Sequence, residues 1–410
     1  MTATGPEGVR IEPRDGGVTA PAGFRAAGVA CGIKKTGAPD LALIVADGPA
    51  TAAAVFTTNK AQAAPVVVSR EHLAHSGGLA RAVVVNSGCA NACTGPEGLA
   101  VARSTADFVA SIVGCRTDHV LVASTGVIGV QLDVDRLRKG AVAAANTLSR
   151  TGGGDAAVAI MTTDRAPKSA AVAVTTAAGT YHVGGMAKGA GMIEPHMATM
   201  LGFITTDAAV PAPLLQRALR DAVDVTFNAI TIDGDTSTND TVFLLASGAS
   251  GVEVTDAGYP GFVAALRSVC GALARAIVRG GEGVTKLVSI TVTGAATAGD
   301  AARAAKTIAN SLLVKTAIHG GDPNWGRLLA AAGRAGVAFD VEHASVRIGA
   351  VELFKDGVPF DDRAPEAAAC LAGSDIEITV DLGAGGAHSA TVWTCDLSAE
   401  YVAINAEYRT

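Results

Sequence analysis

The stretch GGMAKGAGMIEPHMATMLGFITTDA, residues 184–208, decides how this chain is interpreted. Glycines free the backbone in its first half, and an apolar, β-rich run follows Thr199, so the pattern predicts a flexible loop that leads into a buried strand. The Thr199 hydroxyl at such a junction can attack the carbonyl of Ala198 and give an ester that water then cleaves. Thr199 would become an N-terminus whose α-amine, with an ordinary pKa of about 8, serves as the base for its own hydroxyl. A plainer interpretation also exists, in which Thr199 is one more β-branched residue of a sheet.

Strand and helix patterns alternate on both sides of this stretch and predict a mixed α/β fold of layered sheets and helices. A new strand, helix, strand series begins at residue 287, so we expect a catalytic region over 1–283 and a C-terminal α/β domain over 284–410. The predicted strands are LALIVA (41–46), AVFTT (54–58), PVVVS (65–69), RAVVVNSG (81–88), HVLVAS (119–124), TVFLLASG (241–248), LVSITVTG (287–294) and SATVWTCDL (389–397). The predicted helices are 97–114, 133–148, one that Pro211 or Pro213 opens and that runs through 214–223, and 261–278. A polar tail follows at the C-terminus.

Composition narrows the class of protein. The chain has 410 residues, of which 49% are hydrophobic and 17% charged, with a net charge of −6, so it is globular and lacks the basic surface of a nucleic-acid binder. Its first residues contain no apolar h-region, and no membrane-spanning segment is expected. Seven dispersed cysteines indicate reduced thiols and a cytoplasmic location. Small-molecule partners are therefore expected.

Three other features invite a functional reading. Asp233, Asp235 and Asp240 in TIDGDTSTNDT have carboxylates spaced as in a cation loop, but the downstream Glu of such a loop is missing, so we expect them to cap turns through backbone hydrogen bonds. Cys89 and Cys93 have no second Cys or His pair at a zinc spacing, so no metal site is predicted. GGMAKGAG is not followed by Lys-Ser or Lys-Thr at a helix start, which argues against a phosphate-binding loop.

The segment KGAGMIEPHMATMLGFITTDA resembles the self-cleavage segment of the glutamate N-acetyltransferase family, the bifunctional ornithine acetyltransferases of arginine biosynthesis. The resemblance spans nearly the whole chain. It is also carried by NSGCANACTGPEG (86–98), STGVIG (124–129), IMTTD (160–164), TIDGDTSTNDT (231–241), GEGVTKL (281–287), VKTAIHGGDPNWGR (314–327) and INAEYRT (404–410).

The resemblance implies that Thr199 is the nucleophile and that cleavage between Ala198 and Thr199 yields chains 1–198 and 199–410. Thr125 and Gly126 match the family's oxyanion hole, where a hydroxyl and a backbone N–H are suitable donors for a tetrahedral oxyanion. The implied fold is a layered sandwich with sheets between helices, similar in logic to N-terminal-nucleophile enzymes. The implied reaction moves the acetyl group of N2-acetylornithine to glutamate through acetyl-Thr199.

The resemblance also implies a set of substrate-binding residues, with Thr163 as an alternative to its neighbour: Thr162, Lys188, Thr199, Glu282, Asn405 and Thr410. A cation, a carboxylate and neutral donors are the groups that an amino-acid substrate needs. Cys89 departs from the small or amide residue expected at its position and is expected to tune the site. His196 and His319 are interpreted as structural or supporting residues, because the α-amine already supplies a base.

No cofactor is predicted, and the sequence leaves open whether acetyl-CoA is a donor. The cleaved chains are expected to assemble as a heterotetramer with two copies of each. The main alternative is an N-terminal-nucleophile amidohydrolase or aminopeptidase, in which water rather than glutamate resolves the acyl-enzyme. A non-enzymatic binding protein would leave the chain uncut.

Overall fold

A computed structural model describes residues 3–4, 8–194 and 200–407 of the chain. Four residues singled out in the sequence, His196, Ala198, Thr199 and Thr410, lie outside the described residues.

The strands, in chain order, are β1 (Ala3–Thr4), β2 (Arg10–Arg14), β3 (Phe24–Val29), β4 (Leu41–Phe56), β5 (Leu79–Cys89), β6 (Val120–Val127), β7 (Lys168–Thr176), β8 (Gly179–Lys188), β9 (Leu201–Thr206), β10 (Thr241–Ala246), β11 (Leu287–Ala295), β12 (Ser345–Ile348), β13 (Val351–Lys355), β14 (Val358–Pro359), β15 (Asp375–Asp381) and β16 (His388–Cys395). The helices are α1 (Ala64–His75), α2 (Gly95–Val113), α3 (Val134–Thr147), α4 (Gly153–Ala159), α5 (Ala212–Val223), α6 (Tyr259–Arg279), α7 (Ala298–Ala309), α8 (Leu312–Gly320), α9 (Trp325–Gly333), α10 (Ala364–Leu371) and α11 (Ala399–Glu407).

Strand β4 shapes the first sheet, whose order is β1-β2-β7-β8-β9-β10-β4-β5-β6, with β3 also paired to β4. The first half of β4 pairs with β3 and β5, its second half pairs with β10, and the register with β5 shifts between Val45 and Ala50. Buried side chains of both halves share one core, in which Phe24 of β3 lies with Phe203 of β9 and Phe243 of β10. The sheet therefore folds over at the middle of β4 into two facing layers.

Helices cover the outer face of each layer. Helices α5 and α6 pack with β7, β8, β9 and β10 in one apolar cluster. Helices α2 and α3 pack with β3, β5 and β6 in another. This helix, sheet, sheet, helix arrangement confirms the layered α/β sandwich predicted from the sequence.

A second sheet, of order β14-β13-β12-β15-β11-β16, forms the C-terminal part of the chain. Its core is shared with α7, α8, α9 and α10. The first strand of this sheet begins at Leu287. The proposed division into 1–283 and 284–410 as domains stays a prediction.

The prediction of a strand at PVVVS was wrong, because these residues form the first turns of α1. Pro65 occupies the start of that helix, where its missing N–H costs no hydrogen bond. Val66 and Val68 are buried, and the Ser69 hydroxyl donates to the Val122 carbonyl at 2.7 Å while accepting from the Val122 N–H at 2.8 Å. Packing against β6 thus outweighs the few tenths of a kcal/mol by which β-branched residues disfavour a helix.

Two further elements depart from the sequence patterns. LALIVA and the first three residues of AVFTT belong to one 16-residue strand, β4, rather than two. The polar tail forms α11 up to Glu407. Helix α6 has the length and hydropathy of a membrane span, but 67% of its most apolar window is buried inside the protein, as expected of the core helix under β7 and β8.

Candidate active site

The ends of several strands meet on one side of the folded-over sheet. Lys188 ends β8 and pairs with Leu201, which begins β9, and Leu201 pairs in turn with Thr241 at the start of β10. Ends of β5 and β6 from the other layer reach the same place, since the Asn239 side chain donates to the Ala90 carbonyl at 2.6 Å and to the Ser124 carbonyl at 2.8 Å. A cavity of about 210 Å³ opens there. Its lining includes all six of the described site residues expected from the sequence: Thr125, Gly126, Thr162, Lys188, Glu282 and Asn405.

Thr125 and Gly126 lie at the end of β6. Gly126 has a φ of +131°, and a Cβ there would come within 2.3 Å of the Gly88 backbone, so only glycine fits this close approach of β5 and β6. The Thr125 hydroxyl faces the cavity and accepts a hydrogen bond from Lys188 Nζ at 3.1 Å. The close approach of the two strands thus fixes this turn, and Thr125 presents a hydroxyl at the cavity.

Lys188 belongs to a buried charge cluster. Asp164 forms an ion pair with Lys168 and accepts from the Gly189 N–H at 2.8 Å, and all three ionisable side chains are at most 7% exposed. Burial raises the pKa of Asp164, but the charges of Lys188 and Lys168 outweigh it and bring the pKa to about 2. Burial lowers the pKa of Lys188, and Asp164 opposes that change most strongly. Asp164 therefore helps to keep Lys188 charged.

Glu282 supplies an anionic part of the lining. Asn405 of α11 donates to its carboxylate at 2.9 Å, and the Glu282 N–H donates to the Ala190 carbonyl at 2.9 Å. A Cβ at Gly191 would lie 2.5 Å from Glu282 Oε2, so a larger residue there would displace this carboxylate. The C-terminal helix thereby reaches the cavity.

The TIDGDTSTNDT segment holds the backbone on both sides of residues 195–199. Asp233 accepts from the N–H groups of Met192 and Ile193, each at 2.7 Å, and from the Tyr401 hydroxyl at 3.1 Å. Asp240 accepts from the Met200 N–H at 2.8 Å. The expectation of a local turn cap is met by the Asp235 N–H, which donates to Asp233 at 3.3 Å. The bonds from Met192, Ile193 and Met200, in contrast, come from residues far away in the sequence. Among residues 3–4, 8–194 and 200–407, no three His, Cys, Asp or Glu side chains group as a metal site.

Of the remaining candidates from the sequence, some line the cavity and others lie outside its lining. Thr162 and Thr163 both line the cavity, and the Thr162 N–H donates to Asp164 at 3.0 Å. Cys89 is buried beside the site, with its Sγ donating to the Val130 carbonyl at 3.2 Å, and burial raises the pKa of its thiol. His319 pairs with Asp396 at 2.7 Å outside the cavity lining.

Asp164, Asn239 and Tyr401 support the site but were not predicted from the sequence. Asp164 lies next to IMTT and Asn239 inside TIDGDTSTNDT, so the motifs contained them. Their partners, however, are distant in the chain. Asp164 acts on Lys188, Asn239 donates to the Ser124 carbonyl, and Tyr401 donates to Asp233.

Among the described residues, the cavity lining combines one cation, carboxylates and neutral hydrogen-bond donors next to a hydroxyl-bearing turn. Such a lining can receive both the carboxylate and the ammonium group of an amino acid. The fold and the cavity are those of an α/β enzyme that acts on a small amino-acid substrate.

Comparisons with known proteins give the family. The ArgJ family model matches residues 25–410. An arginine biosynthesis bifunctional protein ArgJ from Symbiobacterium thermophilum is 50% identical over 402 residues, covering 96% of this chain and 99% of its own. A crystal structure of the Bacillus halodurans ArgJ protein is 43% identical with a TM-score of 0.50, and covers 51% of this chain and 100% of its own. An ornithine acetyltransferase from Mycobacterium tuberculosis, solved with ornithine, is 47% identical with a TM-score of 0.42, covering 46% of this chain and 98% of its own. The chain belongs to the ArgJ family.

Proposed function

We propose that this chain transfers the acetyl group of N2-acetylornithine to glutamate through an acetyl ester on Thr199. Membership of the ArgJ family makes it an acetyltransferase of arginine biosynthesis, which confirms the activity predicted from the sequence. The observation that carries the residue-level proposal is that Thr125, Gly126, Lys188, Glu282 and Asn405 line one cavity.

Each residue of the proposed set has a role in this reaction. The Thr199 hydroxyl attacks the acetyl carbonyl and passes its proton to the α-amine of the same residue. The Thr125 hydroxyl and the Gly126 N–H stabilise the oxyanion, and the amine then protonates the departing ornithine nitrogen. Glutamate enters, its amine attacks the ester carbonyl, and the Thr199 hydroxyl is restored as N-acetylglutamate leaves.

The cavity charges suit substrates of this kind. Lys188, kept charged by Asp164, binds the α-carboxylate common to acetylornithine and glutamate. Glu282, held by Asn405, accepts hydrogen bonds from an ammonium or amide N–H of the substrate. Thr162 contributes a neutral hydroxyl, and Thr410 is proposed to complete the set.

Maturation by cleavage between Ala198 and Thr199 belongs to the same proposal. The Bacillus halodurans ArgJ chain is covered completely by 51% of this chain, which is the length expected of one cleaved half. We propose that the two halves assemble as a cytoplasmic heterotetramer with two copies of each. Bifunctional ArgJ proteins use acetyl-CoA as a substrate, and we propose that this chain does so without a resident cofactor.

Two measurements test the proposal. Intact mass and N-terminal sequencing of the wild type should give chains 1–198 and 199–410, while Thr199→Ala should stay whole. Cleaved enzyme given acetylornithine and labelled glutamate should form labelled N-acetylglutamate. A wild-type chain that stays uncut would refute the maturation. Acetate release that does not need glutamate would instead identify an amidohydrolase.

A further inference from the structure

Asp240 is a buried carboxyl with an unusual hydrogen-bond balance. Its residue is 0% exposed, its backbone carbonyl accepts from the Thr57 N–H at 2.9 Å, and its Oδ1 accepts from the Met200 N–H at 2.8 Å. Its Oδ2 has no hydrogen-bond partner among the residues that the structure describes. Burial raises the pKa of Asp240 well above its usual range, and the Met200 N–H and Lys188 oppose that change. A buried carboxyl with an unsatisfied oxygen costs stability, so its place requires an explanation.

The position of Asp240 in the sheet links it to the residue directly after Thr199. Met200 is covalently bonded to Thr199, and its own carbonyl accepts from the Thr241 N–H at 3.3 Å. From Leu201 onward, β9 is paired on both sides, with β8 and with β10. The hydrogen bond from the Met200 N–H to Asp240 therefore fixes the last peptide unit before the sheet pairing of β9 begins.

Asp240 also works with Asp233 from the same connecting segment. Asp233 holds the N–H groups of Met192 and Ile193, upstream of residues 195–199, and Asp240 holds Met200 downstream of them. A segment held at both ends has fewer conformations to search, and orientation of this kind accounts for large rate factors in intramolecular reactions. Asp240 does not line the cavity, so it does not contact a substrate bound there.

We infer that Asp240 is a positioning residue for Thr199. Asp240 fixes the backbone directly after Thr199 during self-cleavage and during acetyl transfer. The inference rests on the proposed function. In self-cleavage the Thr199 Oγ forms a bond to the Ala198 carbonyl carbon, the bond from that carbon to the Thr199 nitrogen breaks, and one proton moves from Oγ to the nitrogen. Water then hydrolyses the ester, which leaves a carboxylate on Ala198 and restores the hydroxyl. Asp240 acts through the Met200 N–H in both reactions.

The test compares two shape-matched variants. Asp240→Leu removes the acceptor, and Asp240→Asn keeps an oxygen that can accept from Met200. We expect Asp240→Leu to slow self-cleavage by about 10²-fold, as a misplaced reacting group does. In its cleaved fraction, kcat for acetyl transfer should fall while KM stays unchanged. Asp240→Asn should restore most of both rates. Time-resolved intact mass and initial-rate kinetics give these values.

Asp207 provides the matched control. It lies at the other end of β9, is 2% exposed and likewise accepts backbone N–H bonds, from Ala22 at 3.0 Å and His182 at 2.6 Å. Asp207→Leu should lower the melting temperature but leave the cleavage rate near that of the wild type. Equal slowing by Asp207→Leu, or wild-type cleavage by Asp240→Leu, would overturn the inference.

The Asn variant keeps the inference testable even where Asp240→Leu does not fold. A folded Asp240→Asn protein that cleaves far more slowly than the wild type would contradict the role given to the Met200 bond. Failure of the proposed function looks different, because the wild type itself would then stay uncut or transfer no acetyl group.

Discussion

Replacing Asp164 with Asn should remove a pH-dependent part of the stability of this enzyme. Asp164 is 7% exposed, and its pKa is about 2 instead of the ordinary 3.8 because Lys188 and Lys168 outweigh the burial. This difference corresponds to about 2.5 kcal/mol of folding free energy. Since the folded-state pKa is depressed, that contribution is present above pH 4 and is lost as the pH falls through about 2.

The assay is urea unfolding of wild type and Asp164→Asn, followed by circular dichroism, from pH 7 down to the lowest pH at which both fold. The difference in unfolding free energy should be largest near neutral pH and should shrink by up to about 2.5 kcal/mol as the acid limit is approached. Asp47→Asn is the control, because Asp47 is 40% exposed and its pairs with Arg25 and Arg150 lie on the surface. Such pairs contribute about 0–1 kcal/mol.

Activity gives an independent reading of the same variant. Without Asp164, Lys188 loses the strongest attraction that opposes its desolvation, so its pKa should fall further. The KM for acetylornithine should rise, and it should rise more steeply with pH than in the wild type. Equal acid profiles of unfolding for the two proteins, together with equal KM values, would refute the role given to this cluster.

Two further variants probe the cavity itself. Thr125→Val keeps the shape of the side chain but removes the hydroxyl. In steady-state kinetics, kcat for acetyl transfer should therefore fall by about 10²–10³-fold with little change in KM. An unchanged kcat would argue against a role of Thr125 in the oxyanion hole. Glu282→Gln keeps an acceptor for Asn405 but removes the negative charge. In initial-rate measurements, the KM values for acetylornithine and for glutamate should therefore rise by about 10- to 100-fold. KM values within twofold of those of the wild type would count against substrate binding at Glu282.

The sequence predicted the layered architecture because its strong signals are local. Elements such as β5, α2 and α6 could be predicted because the spacing of apolar residues within each of them indicates which face is buried. PVVVS misled because Val66, Val68 and Ser69 lie on the buried face of α1, where the Ser69 hydroxyl bonds to Val122 of β6. Nothing in five residues distinguishes that face from a buried strand.

The site residues were predicted through a resemblance to a family. The contacts that support them could be predicted neither from that resemblance nor from the sequence pattern. Thr125, Gly126, Lys188, Glu282 and Asn405 stand in motifs that a family match can transfer. Asn239, in contrast, acts on the carbonyls of Ala90 and Ser124, more than a hundred residues away in the chain. Such a contact exists only after β4 has folded the sheet over on itself.

The order of strands explains why cleavage would not separate the two halves. A cut between Ala198 and Thr199 falls between β8 and β9, yet β9 and β10 lie in the sheet between β8 and β4 of the first half. The second half therefore supplies two strands, β9 and β10, that the first half flanks on both sides, and Phe203 and Phe243 are buried in a core shared with Phe24 and Met186 of the first half. Dissociation would break both ladders and expose that core to water. Lys188 at the end of β8 and Leu201 at the start of β9 would thus stay paired after such a cut, although Thr125 and Lys188 belong to the first half while Glu282 and Asn405 belong to the second. The proposed cleavage would therefore leave the described lining of the cavity assembled from both halves.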